Sequence, residues 1–114
     1  MKNSSYIPDR GDIVTLNFNP QSGYEQKGLR PALVISIKLF NKCTNGAIVC
    51  PITNTKKENH PLRVSLNDNL KTTGYIMCEQ IKTVDFVARK ASFKESVDVP
   101  TMNEVLDIIG SFIE

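Results

Sequence analysis

Tryptophan is absent from this 114-residue chain, and histidine occurs once, at His60. A zinc site built on several imidazoles is therefore excluded. The three cysteines do not supply one either, because Cys43, Cys50 and Cys78 are odd in number and form no C-x-x-C pair. They are expected to be reduced thiols with packing roles, as in a cytoplasmic protein. Long apolar runs are lacking too. The longest stretch without charge, Cys43 to Thr55, carries three Thr and two Asn and cannot span a bilayer. The opening Met-Lys-Asn-Ser-Ser-Tyr-Ile-Pro lacks the apolar centre of an export signal, so the expected location is cytoplasmic, with no membrane partner. Internal repeats and low-complexity tracts are also missing. With 40% hydrophobic and 23% charged residues, the chain reads as one small domain over residues 1–114, of a size that often dimerises.

The net charge of +2 excludes little, but its distribution is uneven. Residues 25–57 hold six Lys/Arg (Lys27, Arg30, Lys38, Lys42, Lys56 and Lys57) against Glu25 alone. Residues 95–114 hold five acidic groups and no Lys or Arg. One end of the molecule suits a polyanion and the other does not.

Periodicity predicts a mainly β chain closed by one helix. Val14, Leu16 and Phe18 alternate with Thr15 and Asn17, a half-buried strand over 12–18. A loop of Asn19 to Leu29 leads to the β-branched run Pro31 to Ile37. A Thr-Asn-Gly turn at 44–46 then precedes a strand over Ala47 to Ile52. Further strands are expected at Arg63–Leu66, Tyr75–Lys82 and Phe86–Ala91. Met102, Val105, Leu106, Ile109, Phe112 and Ile113 fall on one face of a helical repeat behind Pro100 and a Thr101-x-x-Glu104 capping box. Short strands with a closing helix imply a small, strongly bent barrel or sandwich.

Two residues with chemical potential meet in this scheme. If strands 31–37 and 46–52 pair as a hairpin, residues 35 and 48, and 31 and 52, lie opposite one another. The same register brings Arg30 beside Thr53 at the open end. Pro31 holds Arg30 extended, which fixes the direction of its side chain. A guanidinium fork and a hydroxyl together bind a phosphodiester and favour the added charge of its transition state. The nucleophile that RNA itself brings, its 2′-hydroxyl, would complete the chemistry. A surface charge or a carboxylate partner is the plainer reading of Arg30.

Several segments resemble the MazF/PemK toxin family. Gly11-Asp12-Ile13-Val14 with Phe18-Asn19-Pro20 resembles its opening strand, and Ser22-Gly23-Tyr24-Glu25-Gln26-Lys27-Gly28-Leu29-Arg30-Pro31 resembles its G-x-E-Q-x-G-x-R-P run. Pro51-Ile52-Thr53 is similar to its P-x-T element, and Thr73-Gly74 with Glu79-Gln80-Ile81-Lys82-Thr83 to its G-x5-[DE]-Q element. The resemblance implies an SH3-like barrel homodimer that cleaves single-stranded RNA without a cofactor or metal. It also implies a cognate antitoxin whose acidic, extended tail competes for the RNA groove. The family's catalytic residues map onto Arg30 and Thr53. Supporting or RNA-binding positions map onto Glu25, Gln26, Glu79, Gln80 and Lys82, and Glu25 would pair with Arg30 before substrate arrives.

The chain departs from the PemK-like branch at two places. Tyr24 stands where that branch has His, and Met77 where it has Arg, so a proton-transfer scheme centred on a histidine at 24 is ruled out. Glu79 replaces an Asp. The acceptor of the 2′-hydroxyl proton is left open among Glu25, Glu79 and the neighbours of Arg30. His60 matches no family motif and is expected to be structural or solvent-facing. Two other readings share the fold class: a non-enzymatic gyrase poison of the CcdB type, and a barrel that binds RNA or protein without cleaving it. The absence of Trp weighs against the first, since that mode leans on a Trp-containing C-terminal tip. The presence of both Arg30 and Thr53 weighs against the second.

Overall fold

The computed structural model describes residues 6–18, 28–56 and 60–113. Its strands are β1 (Asp12–Asn17), β2 (Leu29–Val34), β3 (Ala47–Thr53), β4 (Arg63–Ser65), β5 (Tyr75–Met77), β6 (Lys82–Val84) and β7 (Ser92–Ser96). Two helices accompany them, α1 (Lys38–Thr44) and α2 (Val99–Ile113). All pairings are antiparallel, in the order β4-β5-β3-β2-β1-β7, with β6 on β3 as well.

Strand alternation sorts side chains into two apolar clusters on opposite faces of the sheet. Ile13, Leu33, Cys50, Ile52, Val64 and Ile76 meet Met102, Val105 and Ile109 of α2. Val14, Leu16, Ala32, Val34, Val49 and Val84 pack under Phe86, with Tyr6, Ile7, Phe18 and Ala91 against them. A sheet buried on both faces and bent around one of them is barrel-like, the expected class of mainly β with a C-terminal helix. Among the described residues, no helix is long and apolar enough to cross a membrane.

Four expected boundaries change. The run expected to stay extended to Ile37 ends at Val34, and α1 is inserted before β3. Ile37 offers no side-chain cap, and the Asp9 carboxylate accepts the Lys38 N–H instead. Asn41, fully buried, donates to the carbonyls of Pro8 and Ser36. Residues 86–91 are not a strand. The Asp85 carboxylate accepts the N–H groups of Val87 and Ala88, Lys90 takes a positive φ of 56°, and Phe86 folds onto the core. The outer strand is the charged, exposed β7 beside β1, a composition suited to a sheet edge. The run 75–82 breaks at a 3-10 turn, Cys78–Gln80, so β5 and β6 pair with different stretches of β3. Finally, α2 is capped by Asp98 rather than Thr101. The Asp98 carboxylate accepts both the N–H and the hydroxyl of Thr101, which is buried, while Pro100 sits in the first turn.

Candidate functional site

β3 organises the site because it borders β2 on one edge and β5 and β6 on the other. The register pairs Ala32 with Pro51, Leu33 with Cys50 and Val34 with Val49, as the sequence predicts, although a helix rather than a tight turn joins the strands. Opposed residues share a face. Ile52, Ile76 and Val64 form one buried row across β3, β5 and β4. One residue along, Thr53, Tyr75 and Ser65 emerge on the other face, with Met77 and Arg63 beside them. Arg30 lies two residues before Ala32 and Thr53 two residues after Pro51, so both belong to that second face at the same end of the sheet. The recorded β2–β3 rungs stop at Ala32–Pro51. Beyond them Ile52 and Thr53 pair with β5.

Among the described residues, nothing covers the second face here. A cleft of about 280 Å³ is lined by Phe18, Arg30, Pro51, Met77, Gln80 and Lys82. Arg30 is exposed, and its guanidinium has no hydrogen-bond or ion partner among the described residues. Lys82 holds its ammonium 5.0 Å above the centre of the Phe18 ring, a cation–π contact that keeps the charge at the cleft wall. Arg89 fixes that wall by donating to the carbonyls of Asn17 and Phe18, at 3.2 and 3.0 Å. Thr53, half-buried, lies on the same face two residues beyond Pro51, which lines the cleft. Its Oγ1 accepts the Thr55 N–H at 3.1 Å, leaving the hydroxyl proton to donate elsewhere. Gly74 closes on it from β5 with a φ of +121°, and a Cβ there would lie 2.4 Å from the Thr53 carbonyl oxygen.

Glu79 turns away from this cleft. Its Oε2 accepts Nε and Nη2 of Arg63 at 3.0 and 2.7 Å and lies 3.6 Å from Nε2 of His60. Its Oε1 is buried with no hydrogen-bond partner among the described residues. Burial pushes the Glu79 carboxyl up, but the Arg63 hydrogen bonds, its own backbone N–H and the charges nearby outweigh it, so it sits below the usual carboxylate range. Cys78, one residue earlier, points into the core against Cys50. The Cys50 thiol is held far above its ordinary range by its hydrogen bond to Cys78 and by burial, while the same hydrogen bond lowers the Cys78 thiol. Both are buried in the core, and neither lines the cleft.

Arg30, Gln80 and Lys82 thus line one cleft, Thr53 borders it, and Glu79 belongs to a separate ionic cluster. Glu25 and Gln26 lie outside the described residues. Sequence reading missed Arg63, Tyr75 and the ionic partner of His60. No local signal marks Arg63, whose partner is 16 residues away and whose register is set by the loop between β4 and β5. Chemically the cleft offers a guanidinium that is unpaired among the described residues, a hydroxyl donor, an amide and an ammonium. That set matches the oxygens of a polyanion backbone.

Comparison with known proteins bears on this geometry. Residues 9–113 match the model of the PemK-like, MazF-like toxins of type II toxin–antitoxin systems. The chain is 33% identical over 108 residues to the endoribonuclease PemK of Escherichia coli, covering 92% of this chain and 81% of the relative. It is 35% identical over 94 residues to the endoribonuclease toxin MazF of E. coli strain K12, covering 82% and 83%. A MazE–MazF crystal structure from Deinococcus radiodurans superposes with a TM-score of 0.86 at 33% identity, covering 95% of this chain and 97% of that one.

Proposed function

The chain belongs to the PemK-like, MazF-like toxin family of type II toxin–antitoxin systems, and from that premise we propose that it is an endoribonuclease toxin that cleaves single-stranded messenger RNA without a metal. One observation carries the catalytic assignment. Arg30, unpaired among the described residues, and Thr53 emerge on one open sheet face beside a cleft with Lys82 at its wall. In this reading the 2′-hydroxyl attacks the adjacent phosphorus and the P–O5′ bond breaks. The products are a 2′,3′-cyclic phosphate and a 5′-hydroxyl. Arg30 and Thr53 donate to the phosphoryl oxygens, whose charge grows in the transition state. Lys82 and Gln80 guide the backbone along the cleft, with Gln26 as a further RNA contact.

A proton must leave the 2′-hydroxyl and another must reach O5′. Glu79, held ionised by Arg63, is a weak proton acceptor at neutral pH and is assigned to the ionic cluster that supports β4 and the 3-10 turn instead. Glu25 is the acceptor to test first. The MazE–MazF complex of the D. radiodurans relative supports a second partner, a cognate antitoxin with an acidic extended segment that competes for the cleft. The reading takes residues 1–114 as one catalytic domain, a homodimer as the working form and the cytoplasm as the compartment.

The test is a long single-stranded RNA incubated with purified protein in EDTA, followed by end-group analysis. Discrete cuts with cyclic-phosphate and 5′-hydroxyl ends are expected. Arg30→Ala and Thr53→Val should each lower the single-turnover rate by about 10²–10³-fold with the fold intact. Intact RNA across diverse substrates overturns the nuclease assignment.

A further inference from the structure

A second and larger cavity, about 360 Å³, opens beside Thr53 on the far side from Arg30. The loop between β4 and β5 forms it, and Gly74 lets that loop come within contact of the Thr53 backbone. Its walls are braced from behind. Asn67 donates to Asp98 at 2.7 Å and accepts the Asn69 N–H at 3.0 Å. The N–H and the hydroxyl of Thr72 both donate to Glu95 at 2.7 Å. These polar groups hold one another and are not available to a ligand.

Two groups at the mouth are available. Asn54 accepts the Thr73 hydroxyl on Oδ1 at 3.0 Å, which orients the amide and leaves Nδ2 without a partner among the described residues. Tyr75 is half-buried, and its hydroxyl likewise makes no hydrogen bond among the described residues. Tyr75 is the direct cross-strand neighbour of Thr53, so its backbone lies about 5 Å further across the sheet and its side chain leaves on the same face. That is a nucleotide's step from a phosphate held at Thr53. Asp68 lines the cavity and Glu95 and Asp98 stand behind it, a charge environment that repels a phosphate and tolerates a neutral, flat, polar group.

We propose that this cavity is a nucleobase subsite, in which the base next to the scissile phosphate lies against Tyr75 and is read by Asn54. This assignment rests on the ribonuclease reading and adds to it the origin of sequence preference on this side of the cut. Because the Asn54 Nδ2 donor has no partner among the described residues, the subsite reads an acceptor on the base edge, a carbonyl oxygen or a ring nitrogen, and favours the base whose acceptor meets it. Stacking on Tyr75 supplies affinity without choosing among bases.

The experiment is sequencing of cleavage sites in a randomised RNA pool, paired with sequencing of oligonucleotides bound from a 2′-fluoro pool, which has no 2′-hydroxyl to attack. Wild type should show a base preference of about tenfold at one position adjacent to the cut. Asn54→Asp keeps the acceptor for Thr73 but replaces the outward donor with an acceptor, on an exposed residue where the fold is not at stake. It should shift the preference at that position alone towards bases bearing an amino group. Tyr75→Ala should raise KM about tenfold or more with kcat changed less, and Tyr75→Phe should restore it. Identical site patterns for wild type and Asn54→Asp overturn the proposal. If wild type cleaves nothing yet binds a motif that Asn54→Asp alters, the nuclease reading fails and the subsite stands. If wild type enriches no motif in either pool, the subsite fails.

Discussion

One face of the sheet has two fates. Val14, Leu16, Ala32, Val34 and Val49 are covered by Phe86 and its neighbours, whereas the next residues outward on the same strands, Phe18, Arg30 and Thr53, border an open cleft. The backbone does not distinguish the two stretches, since the same strands and the same alternation run through both. The difference is that the turn over residues 85–91 reaches only part of the face. The side chains proposed for catalysis are thus held on strands within two residues of buried rungs, while Arg30 is exposed and Thr53 half-buried. Such placement fixes geometry without burying the charge, which a site for a polyanion requires.

The comparison breaks first if the cover is removed. Phe86 is 4% exposed, and Phe86→Ala should cost about 3–5 kcal/mol in urea unfolding, through lost burial and an unfilled cavity. At a temperature where the variant is still folded, its cleavage rate per folded molecule should stay within a few-fold of wild type. A loss of cleavage as large as that of Arg30→Ala would show that the covered and open stretches are not mechanically separate.

The open stretch is more sensitive at a single glycine. A Cβ at Gly74 meets the Thr53 carbonyl oxygen at 2.4 Å, and a φ of +121° is strained for any other residue. Gly74→Ala should cost about 1–3 kcal/mol of stability. It should also slow cleavage by about 10²-fold, because a shift of an ångström in a catalytic group is enough for that. Single-turnover rates read against urea midpoints separate the two effects. Stability lost with cleavage retained would show that Thr53 is positioned from β2 rather than β5.

What was legible in the sequence follows the same division between local and distant control. The β2–β3 register could be read because the apolar runs at 31–37 and 47–52 fix which residues face inward, and this alone placed Arg30 and Thr53 on one face. Helix α1 could not be read, because its first N–H is satisfied by Asp9, 29 residues away, and its interior by the buried Asn41. Phe86 to Ala91 looked like a strand because of its spaced apolar residues, but the Asp85 side chain turns that backbone on itself. Thr101 looked like a cap and is instead a buried residue bonded to the real cap, Asp98. In the candidate site, Lys82 and Gln80 line the cleft, whereas Glu79 is drawn into an ion pair whose other member lies on a strand of three residues.

That ion pair gives the smallest effect and the finest test of the division. Arg63 and Glu79 are 11% and 19% exposed, so two charge-assisted hydrogen bonds form with partial loss of water. Because Glu79 is held below the usual carboxylate range in the folded protein, its contribution is complete at neutral pH. That contribution is lost as acid protonates it through its lowered folded value. Arg63→Met removes the side-chain hydrogen bonds and the charge of Arg63 that lower it, leaving burial, which favours the protonated form, opposed only by its own backbone N–H and by His60. The variant should be less stable than wild type by about 1–3 kcal/mol at pH 7. The gap should narrow as pH falls below the ordinary carboxylate range. The lowered carboxyls of Glu95 and Asp98 lie away from the substitution and titrate in both proteins, so the difference between the two curves reports Glu79. Urea unfolding at stepped pH reads that difference. A constant gap from neutral to acid pH would mean that Arg63 acts through the packing of its methylenes, and that it does not hold Glu79 ionised.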